Sequence, residues 1–203
     1  MTRIFLVRHG QSIWHTDNRY CGVSDVELSP HGHEQAGRLA AWATKQRIDA
    51  ICVSPLKRAL DTADPAARAL SLTVHVEPRL VELDFGRCEG LTTSEMAKAF
   101  PESWAAFEND PVRHHLPGGE DPHHLVNRAA KAFIDFAAVY PSGRVMVVAH
   151  STLIRLMLCH WLGIPLANYR RMFPALDNVA VTEFDLDAKS FALRRFNLPL
   201  AVA

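Results

Sequence analysis

Ile4-Phe5-Leu6-Val7-Arg8-His9-Gly10 joins four apolar residues to a cation, an imidazole and a glycine. The apolar residues, two of them β-branched, predict a fully buried β-strand. Ligands of open α/β sheets bind outside the carboxyl ends of the strands. We therefore expect Arg8 and His9 at the mouth of a crevice, where Gly10 allows another group to approach the backbone closely.

The composition favours a small anion as the ligand. The chain has 203 residues, a length that predicts one domain over 1–203. Lys plus Arg is 22 and Asp plus Glu is 22, which argues against nucleic acid or an anionic membrane as a partner. Eleven histidines would make the protein cationic below about pH 6.5. A small phosphorylated metabolite fits this balance.

The cysteines predict a reducing environment. Four are scattered along the chain without a C-x-x-C pair, and the default interpretation is unpaired thiols. They are Cys21, Cys52, Cys88 and Cys159. No apolar run approaches the roughly 18 residues of a membrane span, and no secretory h-region is present. A cytoplasmic protein is the expectation.

Helical and strand patterns alternate along the chain, which predicts the α/β class. Further strands are predicted at 50–53, 72–76, 145–149, 179–184 and 191–196. Helices are predicted at 29–46, 56–70, 94–107, 121–137 and 153–162, the third of them broken by Pro101. Ser29-Pro30, Ser54-Pro55 and Asp121-Pro122 each combine a capping residue with proline, which predicts a helix start. The segment 91–120, rich in Pro, Gly and His in its second half, is predicted to form a lid over the strand ends.

Polar side chains follow four of the predicted strands. Arg8 and His9 follow the first strand, Arg58 the second, Glu82 the third and His150 the fourth. The ends of parallel strands lie along one edge of a sheet, so we expect these residues to converge on one pocket. Arg58 falls in the first turn of a helix, where the macrodipole disfavours a cation unless an anion is near. Guanidinium groups match several phosphate oxygens at once, which favours phosphate over carboxylate.

Segments in nearly the whole chain resemble motifs of the histidine phosphatase superfamily, the phosphoglycerate mutase-like proteins, in the family's order. They are LVRHGQS at 6–12, NRY at 18–20, LSPHG at 28–32, SPLKRA at 54–59, ELDFGRCEG at 82–90, PGGE at 117–120 and VVAH at 147–150. The resemblance implies a three-layer α/β/α sandwich with a mostly parallel central sheet. It also implies a phosphatase for small phosphomonoesters that works through a phosphohistidine, because 82–90 looks like the phosphatase branches.

The resemblance also implies residue roles. His9 would be the nucleophile that becomes phosphorylated, Arg8, Arg58 and His150 would hold the phosphoryl group, and Glu82 would protonate the leaving oxygen. The expected substrate contacts, besides Arg8, Arg58 and His150, are His15, Arg19, Cys21, Gly22 and Ser151. Four positions depart from the common pattern. His15 replaces a frequent Asn, Cys21 a Ser or Thr of the mutases, Cys88 a frequent Trp, and Ser151 a usual Gly.

Physical chemistry supports these roles. A neutral imidazole is a good nucleophile near pH 7 and needs no metal. Glu82 must be protonated for the first step, so we expect its pKa to be raised by burial near other carboxylates. Asp84 and Glu89 are possible substitutes for it.

No metal and no cofactor is expected. The histidine pairs His114-His115 and His123-His124 lack the i, i+4 spacing that aims two rings at one ion. We interpret them as surface or lid residues.

Two alternatives stay open at this stage. One is a phosphoglycerate mutase-type phosphotransferase, although this short chain lacks the longer insertions of the mutases. The other is a non-catalytic phosphate-binding module. The sequence leaves the physiological substrate and the oligomeric state open, a homodimer included. Arg19, Arg87 and Arg113 are candidates to meet a second anionic group of the substrate.

Overall fold

The computed structural model describes residues 1–200 and contains six strands and seven α-helices in that range. The strands are β1 (Thr2–Arg8), β2 (Ala50–Val53), β3 (Val74–Val76), β4 (Arg144–Ala149), β5 (Val181–Leu186) and β6 (Phe191–Leu198). The helices are α1 (Pro30–Ala43), α2 (Lys57–Leu70), α3 (Thr93–Ala99), α4 (Pro101–Asn109), α5 (Pro122–Val139), α6 (Ser151–Leu162) and α7 (Tyr169–Met172).

The strands form one sheet in the order β3-β2-β4-β1-β5-β6. The first four strands are parallel, whereas β5 and β6 are antiparallel to their neighbours. In the β1–β4 pair Arg8 lies opposite Ala149. His9 and His150, which directly follow these two residues, therefore leave the sheet side by side.

Helices cover both faces of the sheet because both faces are apolar. Phe5 and Val7 of β1 belong to a buried cluster with residues of α1 and α2. Ile4 and Leu6, which point to the opposite face, belong to a cluster with residues of α5 and α6. This alternation confirms the predicted three-layer α/β/α sandwich with a mostly parallel sheet.

Two of the three predicted helix starts are correct. The hydroxyl of Ser29 accepts a hydrogen bond from Gly32 N at 3.1 Å, and Asp121 caps α5 in the same way through His123 N at 2.8 Å. The Ser54-Pro55 prediction is wrong, since α2 begins at Lys57. Asp25 from a distant loop accepts the hydrogen bond of Lys57 N at 2.7 Å and so takes the capping role.

The remaining boundaries differ by a few residues. β3 begins at Val74 and not at Leu72, because Ser71 adopts a left-handed conformation that ends α2 and Leu72 N bonds back to Ala67 O. α1 ends at Ala43, α6 begins at Ser151, and β5 and β6 each end two residues later than predicted. The break at Pro101 is confirmed and separates α3 from α4.

The segment 91–120 packs against the core. Met96, Trp104, Phe107 and Leu116 are buried in the cluster beneath α5 and α6. Thr93 is its contribution to the lining of the cavity described below, and the role of a lid stays a prediction. Within residues 1–200, no helix has the length and apolar character that crossing a membrane requires.

Candidate active site

A cavity of about 410 Å³ opens at the carboxyl edge of the sheet, next to the ends of β1 and β4. Seven of the residues singled out in the sequence line it, namely Arg8, His9, His15, Arg19, Cys21, Glu82 and Ser151. Arg58 and His150 are fully buried beside His9. The side chains that the sequence assigns to four strand ends are thus brought to one place.

His9 presents one ring nitrogen to this cavity. Its Nδ1 lies 2.7 Å from the carbonyl oxygen of Gly10, and a carbonyl can only accept, so Nδ1 carries the proton. Nε2 is then the basic atom, and Arg58 Nε donates to it over 3.3 Å. Burial, followed by the charges of Arg58, His150 and Arg8, holds the pKa of His9 well below its usual value. His9 is therefore a neutral imidazole at pH 7, with its lone pair on Nε2.

The close approach predicted at Gly10 is present in the structure. A Cβ built at Gly10 would lie 2.8 Å from the carbonyl oxygen of Gly32, in the first turn of α1. The group that approaches Gly10 closely is thus the backbone of α1. This contact packs the start of α1 against the loop that carries His9.

His150 is held by a residue that the sequence analysis interpreted only as a helix cap. Its Nε2 forms a hydrogen bond of 2.7 Å with the hydroxyl of Ser54, which follows β2. The rings of His9 and His150 have their centres 5.2 Å apart. Burial and the nearby arginines, Arg58 first, keep the pKa of His150 well below its usual value. The residues that directly follow β2, β4 and β1 thus lie in one row, and they are Ser54, His150 and His9.

Arg58 ties a loop to the nucleophile. Its Nη1 donates to Ser24 O at 2.8 Å and its Nη2 to Gly22 O at 2.6 Å. Gly22 is also required sterically, because a Cβ there would lie 2.1 Å from the Glu89 carboxylate. Gly22 therefore fixes Arg58 through its carbonyl and is not among the residues that line the cavity.

Two arginines of the cavity have a buried nitrogen without a partner. In residues 1–200 the buried side-chain nitrogens that lack a hydrogen bond are Arg8 Nε, Arg155 Nε and His150 Nδ1. The other nitrogens of Arg8 donate to Leu176 O and to His15 Nε2. Burial, with repulsion from Arg155, lowers the pKa of Arg8 to about 10, so it stays charged at pH 7. Unpaired buried donors of this kind are those that an anion satisfies.

Glu82 lies at the N-terminus of α6. Its Oε1 accepts from Leu83 N at 2.8 Å and from Leu153 N at 2.9 Å, and its Oε2 accepts from Thr152 N at 2.8 Å. The bonds from Thr152 N and Leu153 N cap α6, whose N-cap residue His150 has no side-chain cap. Burial raises the pKa of Glu82, while the three N–H groups and Arg58 oppose the shift. The expected direction is correct, but the cause is burial and not a neighbouring carboxylate.

The backbone before Glu82 is clamped by Arg128 of α5. Arg128 donates to the carbonyl oxygens of Arg79 and Val81 at 2.7 Å and to that of Glu82 at 3.2 Å. Its guanidinium forms a two-pronged ion pair with Glu120, both bonds being 2.8 Å. This pair fixes where Glu82 meets α6.

Asp84 and Glu89 are occupied by backbone groups. Asp84 Oδ1 accepts from Gly86 N at 2.7 Å, and the Glu89 carboxylate accepts from Val23 N and Ser24 N at 2.7 and 2.8 Å. Neither residue lines the cavity. The geometry favours Glu82 over both as the acid.

His15 stands directly against Arg8. Its Nε2 lies 2.5 Å from Arg8 Nη2, and its Nδ1 lies 2.8 Å from the hydroxyl of Ser12. A guanidinium only donates, so Nε2 accepts and the ring is neutral. Burial, with the charges of Arg8 and Arg58, lowers the pKa of His15 to about 4. His15 therefore supports Arg8 at neutral pH without adding a charge.

Replacing His15 with asparagine is expected to reduce the loss of stability in mild acid. An unfolded histidine binds a proton below about pH 6.5, whereas folded His15 does so only near pH 4, so stability falls as the pH falls between these values. His15 contributes up to about 2 kcal/mol of this loss between pH 7 and pH 5. Urea unfolding of both proteins at the two pH values measures it, with the exposed His124→Asn as control. Identical pH dependence of the His15→Asn and parent proteins would contradict the assignment.

The other predicted contacts lie around the rim. Arg19 lines the cavity but is paired with Glu95 at 3.0 Å and Asp17 at 3.5 Å. Cys21 lines it as a thiol, because burial raises its pKa to about 11. Of the candidates for a second anionic group, Arg87 stacks on Phe100 and, like Arg113, is exposed outside this cavity.

The four cysteines are all free thiols. The paired histidines His114, His115, His123 and His124 are exposed. Over residues 1–200, His, Cys, Asp and Glu side chains form no group of three or more that could hold a metal ion.

Sequence reasoning missed Ser54 as the partner of His150, and it missed Arg155 and Arg170, which line the cavity from α6 and α7. Arg155 follows Ser151 by four residues, so helical spacing could have placed both on one face. The sequence around Arg170 carries no comparable signal.

Comparison with known proteins assigns the family. The profile described as histidine phosphatase superfamily (branch 1) matches residues 4–199. Phosphoserine phosphatase 1 of Hydrogenobacter thermophilus is 30% identical over 98% of this chain and 93% of its own length. The mycobacterial glucosyl-3-phosphoglycerate phosphatase, solved in complex with VO3, is 29% identical with a TM-score of 0.85, and the match covers 97% of this chain and 99% of that one.

Another solved structure gives the same result. The α-ribazole phosphatase of Shigella flexneri is 25% identical with a TM-score of 0.86, and the match covers 99% of both chains. The chain therefore belongs to the histidine phosphatase superfamily, branch 1, and its enzyme class is that of the phosphoric monoester hydrolases.

Proposed function

We propose that the protein hydrolyses phosphomonoesters of small molecules through a phosphohistidine at His9, without a metal. The observation that carries this proposal is the state of His9. Its Nδ1–H donates to Gly10 O, which fixes the tautomer, and its basic Nε2 faces Arg58 beside the cavity. A neutral, oriented imidazole among cations is what nucleophilic attack on a phosphate requires.

In the first step, the bond between His9 Nε2 and phosphorus forms while the ester P–O bond breaks. Arg8, Arg58 and His150 stabilise the negative charge on the non-bridging oxygens, which is the main task in phosphoryl transfer. The unpartnered Arg8 Nε and His150 Nδ1 are the donors suited to this. Ser54 supports the tautomer that leaves a proton on His150 Nδ1, because its hydroxyl can donate to Nε2.

Glu82 supplies the proton that the leaving oxygen needs. Oε1 accepts two N–H bonds and Oε2 accepts one, so the proton of the acid form fits best on Oε2. In the second step, water attacks phosphorus and gives its proton to the Glu82 carboxylate. As the N–P bond breaks, inorganic phosphate is released and neutral His9 and protonated Glu82 are restored.

With 3-phosphoglycerate we expect hydrolysis rather than transfer. Each glycerate formed should be accompanied by one inorganic phosphate, because a chain of this length lacks the insertions with which a mutase would shield its phosphohistidine. Phosphorus NMR of the reaction mixture distinguishes the products, with the His9→Ala protein as the blank. Accumulation of 2-phosphoglycerate without free phosphate would make the protein a mutase. Binding of phosphate without turnover across a broad panel would make it a non-catalytic module.

The physiological substrate is to be sought among small phosphorylated metabolites. The relatives named above are phosphatases for phosphoserine, α-ribazole phosphate and glucosyl-3-phosphoglycerate. A panel of kcat/KM values for sugar phosphates, phosphorylated acids and nucleotides would rank these classes. The four free cysteines support the further proposal that the protein works in a reducing compartment, the cytoplasm.

A further inference from the structure

Two arginines of the cavity are not explained by the phosphate site. Arg155 lies on α6, one turn after Ser151, and Arg170 lies on α7. Both line the same cavity as His9 and Arg8. They are separate from the strand-end residues that surround the nucleophile.

Neither arginine has an acidic partner. Within residues 1–200, no Asp or Glu lies within 4.0 Å of Arg155 or Arg170, whereas Arg19 on the same cavity is paired with two carboxylates. Arg155 donates to Pro174 O at 3.3 Å, and its Nε is buried without a partner. Its charge is therefore available to a molecule in the cavity.

Arg170 is held in place by aromatic side chains. Its Nε donates to the hydroxyl of Tyr169 at 3.0 Å and its Nη2 to that of Tyr20 at 3.4 Å. The guanidinium also lies 4.3 Å from the centre of the Phe107 ring. These contacts fix the orientation of Arg170, and within residues 1–200 they leave its Nη1 without a hydrogen-bond partner.

The cations of this cavity repel one another. Burial, together with the charge of Arg170, lowers the pKa of Arg155, and Arg155 in turn contributes to the lowered pKa of Arg8. Such a cluster costs stability unless an anion compensates it. One phosphate at His9 would meet Arg8 and Arg58, and the charges of Arg155 and Arg170 would still lack a counter-ion.

We propose that Arg155 and Arg170 form a second anion subsite that binds a carboxylate of the substrate, so that the substrate class is phosphorylated carboxylic acids. This inference rests on the proposed function, which places the phosphoryl group at His9. Both guanidinium groups keep free N–H groups, among them Arg155 Nε and Arg170 Nη1, which can donate to the two oxygens of a carboxylate. A cavity of about 410 Å³ is at the small end for ligand sites and suits a short acid.

The test compares two substrates that differ in the second charged group. In 3-phosphoglycerate a carboxylate takes the place of the terminal hydroxymethyl group of glycerol 3-phosphate. We expect kcat/KM for the acid to exceed that for the alcohol by about tenfold or more, the range of a charged hydrogen bond. Arg155→Met and Arg170→Met should each lower this ratio by about tenfold. Arg171→Met is the matched control, since Arg171 is the exposed neighbour of Arg170 and should leave the ratio unchanged.

The ratio separates binding of the carboxylate from damage to the fold, because a distorted cavity would slow both substrates. A ratio that stays the same in Arg155→Met and Arg170→Met would overturn the proposal. So would a preference for fructose 1,6-bisphosphate over 3-phosphoglycerate that depends on the same arginines, since it would assign the subsite to a phosphate.

Failure of the proposed function gives a different result. If no phosphomonoester is hydrolysed, dissociation constants from calorimetry still report the subsite. 3-Phosphoglycerate should bind about tenfold more tightly than glycerol 3-phosphate to the parent protein and equally to Arg170→Met. Equal binding of both compounds to the parent protein would reject the subsite independently of catalysis.

Discussion

Replacing His9 with alanine is expected to lower phosphatase kcat by at least about 10³-fold, the scale on which removal of a catalytic nucleophile acts. His9 Nε2 is the basic atom oriented beside Arg58. The acid and the phosphate-binding groups act only on the transfer of the phosphoryl group to this atom, so little activity should remain without it. The release of p-nitrophenol and phosphate from p-nitrophenyl phosphate at pH 7 measures the effect.

His9→Asn tests the same role with less disturbance of the fold. The asparagine amide can keep the hydrogen bond to Gly10 O that His9 Nδ1 makes, but it offers no nucleophile. Both variants should be inactive, and an exposed replacement, His33→Ala, should retain the parent rate. A loss of only a few-fold in His9→Ala and His9→Asn would rule out the covalent mechanism.

Replacing Glu82 with glutamine is expected to slow hydrolysis in proportion to the basicity of the leaving group. Alkyl phosphates need a proton on the leaving oxygen, and we expect kcat/KM for them to fall by about 10²- to 10⁴-fold. p-Nitrophenol leaves as a stable anion, so its ester should be far less affected. With this ester the variant should show a burst of p-nitrophenol, because the loss of the base slows hydrolysis of the phosphoenzyme.

A structural effect of the Glu82 change must be separated from the chemical one. The glutamine carbonyl can accept from Leu83 N and Leu153 N, but its amide then faces the N–H of Thr152. Because α6 loses part of its cap, the melting temperature of Glu82→Gln should fall. The decisive readout is the ratio of kcat/KM for the alkyl phosphate to kcat/KM for p-nitrophenyl phosphate, with Asp84→Asn as the control. Equal losses for both esters would count against the acid role.

The sequence was sufficient where local patterns also determine the fold. The apolar runs of β1 and β4 are continuous because both faces of the sheet are covered, and a histidine directly follows each strand. Parallel pairing then makes the convergence of His9 and His150 a geometric necessity. The start of α1 at Ser29 was equally readable, since its cap is local in sequence.

The sequence was insufficient where partners come from distant segments. Ser54 resembles a helix cap, yet its hydroxyl bonds to His150, and Asp25 caps α2 in its place. Gly10 accommodates the backbone of Gly32, and no local sequence pattern predicts this contact. The acid loop depends on Arg128, whose contacts span more than forty residues. Such contacts form only when the layers pack together.

The arginines in and near the cavity show the same limit of prediction from the sequence. Arg19, Arg87 and Arg113 were candidates for a second anion because they lie in loops near the motifs. In the structure the first is paired and the other two lie outside the cavity, while Arg155 and Arg170 enter it from helices. Whether an arginine is free depends on the neighbours that tertiary structure supplies.

The central claim is that His9 Nε2 accepts the phosphoryl group, and direct trapping of the phosphoenzyme tests it. The parent protein and Glu82→Gln are mixed with p-nitrophenyl phosphate, quenched in alkali within the first turnover, digested and analysed by mass spectrometry. We predict a phosphoryl group on Nε2 of His9, stable in alkali and lost in acid, and more abundant in Glu82→Gln. Hydrolysis that proceeds at the normal rate with no phosphoryl group on His9, or with one on another residue, would contradict the account.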